Sequence, residues 1–390
     1  MSKIILTVVF SALLIYAGAQ NKVTINSQPN KMNSVSKTFH LSQREYEEKV
    51  HAIWAGQIIA TLLGFPAEHN VASVKWIDKF PVKRESAPVD DDWYYEMIAI
   101  KEFEKYGTDM TVAQLGEQWK TYNCGSWGSS AQARKALLKG VEAPLTGHPL
   151  YNRYWFTIGP QFSADVYAAL APGMPNLAGK IARQYGHLNV YAEAVDGAVF
   201  VAGIISLGFI EKDPKTIVRK AAGLIDKQSP YRQCIDMVIE LADKGKTANE
   251  VLRAVEDKWH IEYPNTNNAV ANGGIVAACL WFWETDFLNT VNLACRSLDF
   301  TDSDCNAANA ISAICAMKGM SAIPKNLFDL WPTGLKVTVY VKLNSTCQLM
   351  KASLSWQQEQ QKWVKRLCKK MVLHLKQIHS LFLFKQSLPR

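Results

Sequence analysis

No Cys-x-x-Cys pair occurs in the 390 residues, and the eight cysteines are too irregularly spaced for a dense disulfide framework. That argues against a structural zinc module and against a small stapled scaffold. The cysteines are Cys124, Cys234, Cys279, Cys295, Cys305, Cys315, Cys347 and Cys368, and several fall in apolar helical runs as small buried hydrophobes. Alternating apolar–polar stretches are few and no tandem repeat is evident, so neither a sheet fold nor a solenoid is expected. Beyond the first 19 residues no run looks long and apolar enough to span a bilayer unaided. The nearest, around 194–210, carries Asp196 with Glu193 just ahead of it, and reads as a buried core helix. Acids are scarce in one place only. Residues 331–390 hold 11 Lys and Arg against the single Glu359, whereas residues 1–330 hold 32 basic and 34 acidic side chains. The formal charge of +8 therefore belongs to the tail. It gives no reason to expect a nucleic-acid partner for the rest of the chain.

Residues 1–19 read as a secretory signal, with Lys3, an apolar run from Ile4 to Tyr16 and the small residues Ala17-Gly18-Ala19. A retained anchor is the alternative. A secreted or periplasmic protein, without a membrane segment after cleavage, is the expectation. Residues 20–42 form a polar leader. Residues 43–329 then read as one all-α, multi-helix domain, expected to be monomeric. Helical spacing runs through 46–64 and 93–107, each closed by a glycine. It recurs near 187–210, 231–244, 248–259, 268–283, 285–296 and 304–318. Thr111 with Gln114 and Thr247 with Glu250 are capping-box starts, and Asp213-Pro214 is an N-cap followed by a first-turn proline. Two long links remain, 69–90 and 120–164. The second is rich in aromatics able to stack on a planar ligand, among them Trp127 and Trp155.

The tail 330–390 loses both acids and clean periodicity. Codons can be chosen so that a one-base offset turns 350–379 into a well-formed amphipathic helix. The tail therefore reads as out of frame from about residue 329.

Two acidic stretches stand out: Asp90-Asp91-Asp92 before one helix, and "DFTDSDCN" (299–306) before another. One Asp is a natural N-cap, but three in a row exceed what a helix end needs. Two such patches at helix starts suggest a shared hard divalent cation, Mg²⁺ or Ca²⁺, since the set is rich in carboxylates and poor in histidine. A third feature is "GQIIATLLGFPAEH" (56–69), which ends in a loop carrying Glu68 and His69.

The order of these three features resembles the ADP-ribosylglycohydrolase family. The closing block "TDSDCNAANAISAICAMKGMSAIP" (301–324) is similar to that family's D-x-D-[TC]-N-x-A signature, and 157–209 is similar to its central helices. The resemblance spans about 45–330. It implies an all-α fold with two Mg²⁺ ions and a substrate containing ADP-ribose, whose N- or O-glycosidic bond is hydrolysed. By position it implies Asp302, Asp304 and Cys305 as metal ligands, Cys305 standing where many members have threonine. The pair Asp90–Asp91 or Asp91–Asp92 supplies the other ligands, with the family's leading threonine absent. Glu68 and Asp302 are the implied catalytic groups. Trp127, Gly128, Trp155 and Asn306 are the expected substrate contacts. The alternatives are a catalytically weakened ADP-ribose-binding relative and a hydrolase of another riboside or glycoside.

Overall fold

The computed structural model describes residues 39–72, 75–80, 86–87, 90–122, 125–261, 267–328, 336–337, 341–343 and 346–348. The proposed signal, most of the leader and nearly all of the anomalous tail lie outside the described residues. From His40 onward the described residues form one unit. They are helical apart from strand pieces of two or three residues.

The long helix α1 (Gln43–Gly64) is capped by Ser42, whose hydroxyl accepts from the Glu45 N–H at 3.1 Å. After it come α2 (Asp91–Tyr106), α3 (Val112–Thr121) and α4 (Gly128–Leu138). The short α5 (Gly159–Phe162) and α6 (Asp165–Leu170) lead into α7 (Pro175–Gly186), α8 (Glu193–Gly208) and α9 (Pro214–Ala222). The last set is α10 (Pro230–Asp243), α11 (Ala248–Val255), α12 (Ala269–Trp281), α13 (Phe287–Cys295), α14 (Ser303–Lys318) and α15 (Lys325–Phe328). Both capping boxes form as the spacing predicts, and Asp213 caps α9 ahead of Pro214.

Three sequence expectations need correction. The link 120–164 contains α4, whose polar, glycine- and serine-led start reads as loop. The helix expected over 187–210 starts only at Glu193, and the residues before it belong to a turn after α7, which the spacing did not mark. A third concerns membrane spans. The segment Gln43–Ala67 is long and apolar enough to cross a bilayer by composition, but 83% of its apolar window is buried inside the protein. It is a core helix, with apolar side chains all round because it is surrounded on all sides.

α1 packs against α14 along its length, and α14 also packs on α8, α12 and α13. Two glycines let α1 and α14 touch. A Cβ at Gly56 would lie 2.5 Å from Cys315 Sγ, and one at Gly64 would lie 2.7 Å from the Asp304 Cα. The second contact is backbone on backbone, so no side-chain motion relieves it. It brings the C-terminal end of α1, with the loop that follows, against the N-terminal end of α14. Cys234, Cys279, Cys295, Cys305 and Cys315 are all unpaired and buried, as their apolar settings suggested.

Candidate active site

The loop after α1 turns through Phe65-Pro66-Ala67 and delivers Glu68 and His69. It is stitched to the segment before α14 by three hydrogen bonds. The His69 N–H donates to Thr301 O (2.9 Å), the Phe300 N–H donates to Asn70 O (2.7 Å), and the Ala72 N–H donates to Asp299 Oδ1 (2.8 Å). Asp299 is thus a strut of the loop, which separates it from the other acids of its stretch. His69 and Phe300 both take φ of 54°, a left-handed conformation that side chains with a Cβ adopt at a cost of order 1 kcal/mol. Their strain is held by the pairing between the two loops.

Three acidic groups meet here. Asp90 caps α2, its Oδ1 accepting from the Asp92 N–H at 3.1 Å, and Asp90, Asp91 and Asp92 each place a carboxylate oxygen within 4.8 Å of the others. Asp302, Asp304 and Cys305 form a second such group, and Glu68, His69 and Asp302 a third. Cys305 Sγ lies 3.2 Å from Asp92 Oδ2 and joins the first group to the second. Asp302 joins the second to the third, with its Oδ2 3.8 Å from His69 Nε2. The Asn267 side-chain amide donates to the same Asp302 oxygen. Asn272 Oδ1 accepts from the Asp302 N–H at 3.2 Å.

These groups line a cavity of about 390 Å³. Among the described residues His69 is the one basic side chain on its wall, against six carboxyl groups. Burial, reinforced by neighbouring carboxylates, drives Asp91, Asp92 and Asp304 well above the usual carboxylate range. Burial and then the charge of Asp302 push Glu68 up to about 7, against the pull of His69. For Asp302, burial acts upward, but the polar neighbours His69 and Cys305 outweigh it and leave the group below its ordinary value. Asp92 Oδ1, Asp302 Oδ1 and Asp304 Oδ1 are buried without a hydrogen-bond partner. Buried carboxylate oxygens with no donor are costly unless a cation or proton meets them, so the donor set fits a hard divalent ion.

The start of α4 also lines the cavity. Trp127 is its N-cap and is half-exposed, and Gly128, at φ 44°, opens the helix. The free N–H groups of that first turn, from Gly128 to Ser130, border the cavity, a setting suited to an anion. Phe65, also half-exposed, stands on the wall too. Of the expected substrate contacts, Trp127 and Gly128 are therefore on the cavity, and Trp155 and Asn306 are not. The half-buried Trp155 ring packs edge-on against Phe156, and its carbonyl accepts from the Tyr191 N–H (2.9 Å). Asn306 is fully buried and donates to Asn272 Oδ1 at 2.7 Å, so it braces the residue that holds the Asp302 backbone. Conversely, His69 and Asn267 belong to the site although the pattern did not single them out. For His69 the available signal was adjacency to Glu68 in a proline loop.

A buried polar seam continues inward from the acids. Gln57 Nε2 on α1 donates to Glu96 Oε1 on α2 at 2.8 Å, one turn beyond Asp92. Ser312 Oγ on α14 donates to Asp165 Oδ2 on α6 at 2.5 Å. Burial lifts Glu96 well above the carboxylate range, with the nearby charge of Asp165 adding to it, and burial pushes Asp165 up to about 7.

A helical domain whose distant acids converge on one cavity, beside a helix N-terminus and an exposed aromatic ring, has the site of a hydrolase class. The particular assignment comes from comparison. The family model for ADP-ribosylglycohydrolase matches residues 42–354, and the chain belongs to that family of hydrolases acting on glycosidic bonds. Among solved structures it is similar to one described as an ADP-ribosylglycohydrolase-related protein complex, at 14% identity and a TM-score of 0.52. That match covers 74% of this chain and 93% of the other, and it shows a shared fold. No curated protein matches the chain.

Proposed function

We propose that this chain hydrolyses the N- or O-glycosidic bond between ADP-ribose and its carrier, a protein side chain or a small conjugate, with two Mg²⁺ ions held by the acidic cluster. The reading rests on one observation above others: three buried carboxylate oxygens, on Asp92, Asp302 and Asp304, have no partner and face a cavity that also presents a helix N-terminus. Asp90, Asp91, Asp92, Asp302 and Asp304 would hold the ions. Bound there, the ions supply Lewis-acid charge at the sugar hydroxyls and at the attacking water, where an oxocarbenium-like transition state needs it.

The chain's own groups do the rest. The N–H groups at Gly128 and Ser129 are placed to receive the diphosphate, and the Trp127 ring to cover the adenine. Glu68 stands at the cavity with Oε1 3.7 Å from His69 Nδ1, so it can take a proton from water and return it to the leaving group. His69, between Glu68 and Asp302, keeps those two carboxylates from repelling each other out of position. Residues 1–19 are proposed to direct export.

The test is release of ADP-ribose from ADP-ribosyl-arginine, ADP-ribosyl-serine and simple ribosides, with and without chelator. Asp302→Asn and Asp304→Asn should each lower turnover by at least about a hundredfold, the order expected when a metal centre is disabled. Undiminished turnover in either variant, or in chelator, would remove the proposal. Cleavage of ribosides lacking the diphosphate at equal rates would shift the substrate to another glycoside.

A further inference from the structure

The seam between α1, α2, α6 and α14 holds a gathering of polar groups that the proposed hydrolysis does not use. Gln57, Glu96, Asp165, Asn309 and Ser312 are all fully buried. Four of their oxygens have no hydrogen-bond partner: Gln57 Oε1, Glu96 Oε2, Asp165 Oδ1 and Asn309 Oδ1. Among the described residues no basic side chain draws either acid down. The helices bring the groups together. Gly56 of α1 faces Ile311 and Cys315 of α14, and Gly64 faces Asp304, so the stretch of α1 carrying Gln57 runs beside the stretch of α14 carrying Asn309. Asn309 precedes Ser312 by three residues and shares its helix face, and Ser312 Oγ donates to Asp165 Oδ2. Gln57 Nε2 donates to Glu96 Oε1, and Glu96 has the Val166 N–H and the charge of Asp165 among its neighbours. The two amides set the seam apart from a simple pair of buried acids. A buried amide oxygen without a donor is costly, and two of them beside two unmet carboxylate oxygens call for a positive charge.

We infer that Gln57, Glu96, Asp165 and Asn309 form a structural cation site, separate from the cavity, that takes one Ca²⁺ ion. Two carboxylates offset the two charges of the ion. Asp165 Oδ2 and Ser312 Oγ, 2.5 Å apart, lie beside the four unmet oxygens and bring the set to six, the lower end of the six to eight that Ca²⁺ takes. Ca²⁺ accepts an irregular set that includes neutral amide oxygens, whereas Mg²⁺ demands a near-ideal octahedron and keeps several waters, for which packed helices leave little room. The set contains no thiol or imidazole to favour a softer ion. As the ion enters, a ligating carboxyl that carries a proton releases it to solvent, and in chelator the proton returns. Glu96 stands one turn beyond Asp92 on α2, and Asn309 one turn beyond Cys305 on α14. The ion therefore ties together the helices whose starts carry the acids of the cavity, and it does so whatever the cavity hydrolyses.

The experiment uses the full chain, stripped of metal by chelator and dialysed against radiolabelled CaCl₂ with MgCl₂ in excess to compete at the cavity acids. The expected result is one Ca²⁺ retained per chain. Asp165→Asn and Asn309→Leu should each weaken that binding by at least about tenfold, whereas Asp302→Asn and Asp304→Asn should keep it. Thermal unfolding under the same excess of MgCl₂ gives a second readout. CaCl₂ should raise the Tm of the parent and leave that of Asp165→Asn and Asn309→Leu unmoved. Asparagine keeps the shape of Asp165 and leucine nearly the volume of Asn309, so one variant remains decisive if the other fails to fold. A folded parent that retains no Ca²⁺ against Mg²⁺, or uptake undiminished in the seam variants, overturns the inference. Uptake lost in Asp302→Asn and Asp304→Asn but kept in the seam variants puts the ion in the cavity and overturns it as well, while leaving the reading of the cavity standing.

Discussion

Replacing Asp165 by asparagine should make this protein more stable in mild alkali, and the size of the gain follows from where Asp165 sits. The carboxyl is fully buried, receives one hydrogen bond from Ser312 and has Glu96, another buried acid, near it. Burial raises it from an ordinary value of 3.8 to about 7. The folded chain therefore keeps this proton up to about pH 7, whereas the unfolded chain releases it near pH 4. Between those limits unfolding releases a proton, so stability falls as pH rises and levels off above 7. At about 1.4 kcal/mol per pH unit the whole interval is worth about 4 kcal/mol, of which about 3 kcal/mol falls between pH 5 and 8. Asparagine has the shape of the protonated acid, can still accept from Ser312 and does not titrate. The assay is urea unfolding of both proteins at pH 5 and pH 8, in chelator at fixed ionic strength. The acids of the cavity contribute to both proteins and largely cancel in the difference. The expected outcome is an advantage to Asp165→Asn that is about 3 kcal/mol larger at pH 8 than at pH 5. Parallel pH dependence in the two proteins would refute the reasoning and show that the seam tolerates the charged carboxylate.

Gly64→Ala puts a methyl group against the Asp304 backbone, and should cost about 1–3 kcal/mol by unfolding while weakening divalent-ion binding in calorimetry. Trp127→Ala should raise KM for an ADP-ribosyl conjugate by roughly threefold to tenfold with kcat little changed, because a half-exposed stacking surface is lost and no reacting group is. Thr247→Ala removes one half of a capping box remote from the cavity. It should lower stability by about 1 kcal/mol and leave turnover untouched.

The parts of the fold legible in the sequence were those fixed by local chemistry. Thr111 and Thr247 announce their helices because a hydroxyl and a side chain three residues on satisfy each other's backbone, whatever the rest of the chain does. α4 and α7 were missed for the opposite reason. Their starts, Gly128-Ser129-Ser130 and Pro175-Asn176, are turn-like in composition, and it is tertiary packing that holds them, α4 on α3 and α7 on α8. The acids of the site were legible as types and positions, but their convergence was not. It depends on the backbone contact at Gly64 and on the loop pairing around His69 and Phe300, both of which are tertiary. Asn306 shows the limit of a motif read alone. It lies two residues beyond Asp304, yet helix geometry turns it inward to Asn272. Asp299, similarly, looks like its neighbours in the sequence and serves as a clasp for the opposite loop.

The glycine contact has a further consequence for how the molecule comes into being. Gly64 and Asp304 belong to opposite ends of the domain's sequence, so the last acids to be synthesised meet the first only when the helices between them have closed. On the metal reading, a nascent or partly opened chain owns the acids but no binding pocket for an ion. A divalent ion would then stabilise completed molecules alone, by about 2.7 kcal/mol at a hundredfold excess over Kd.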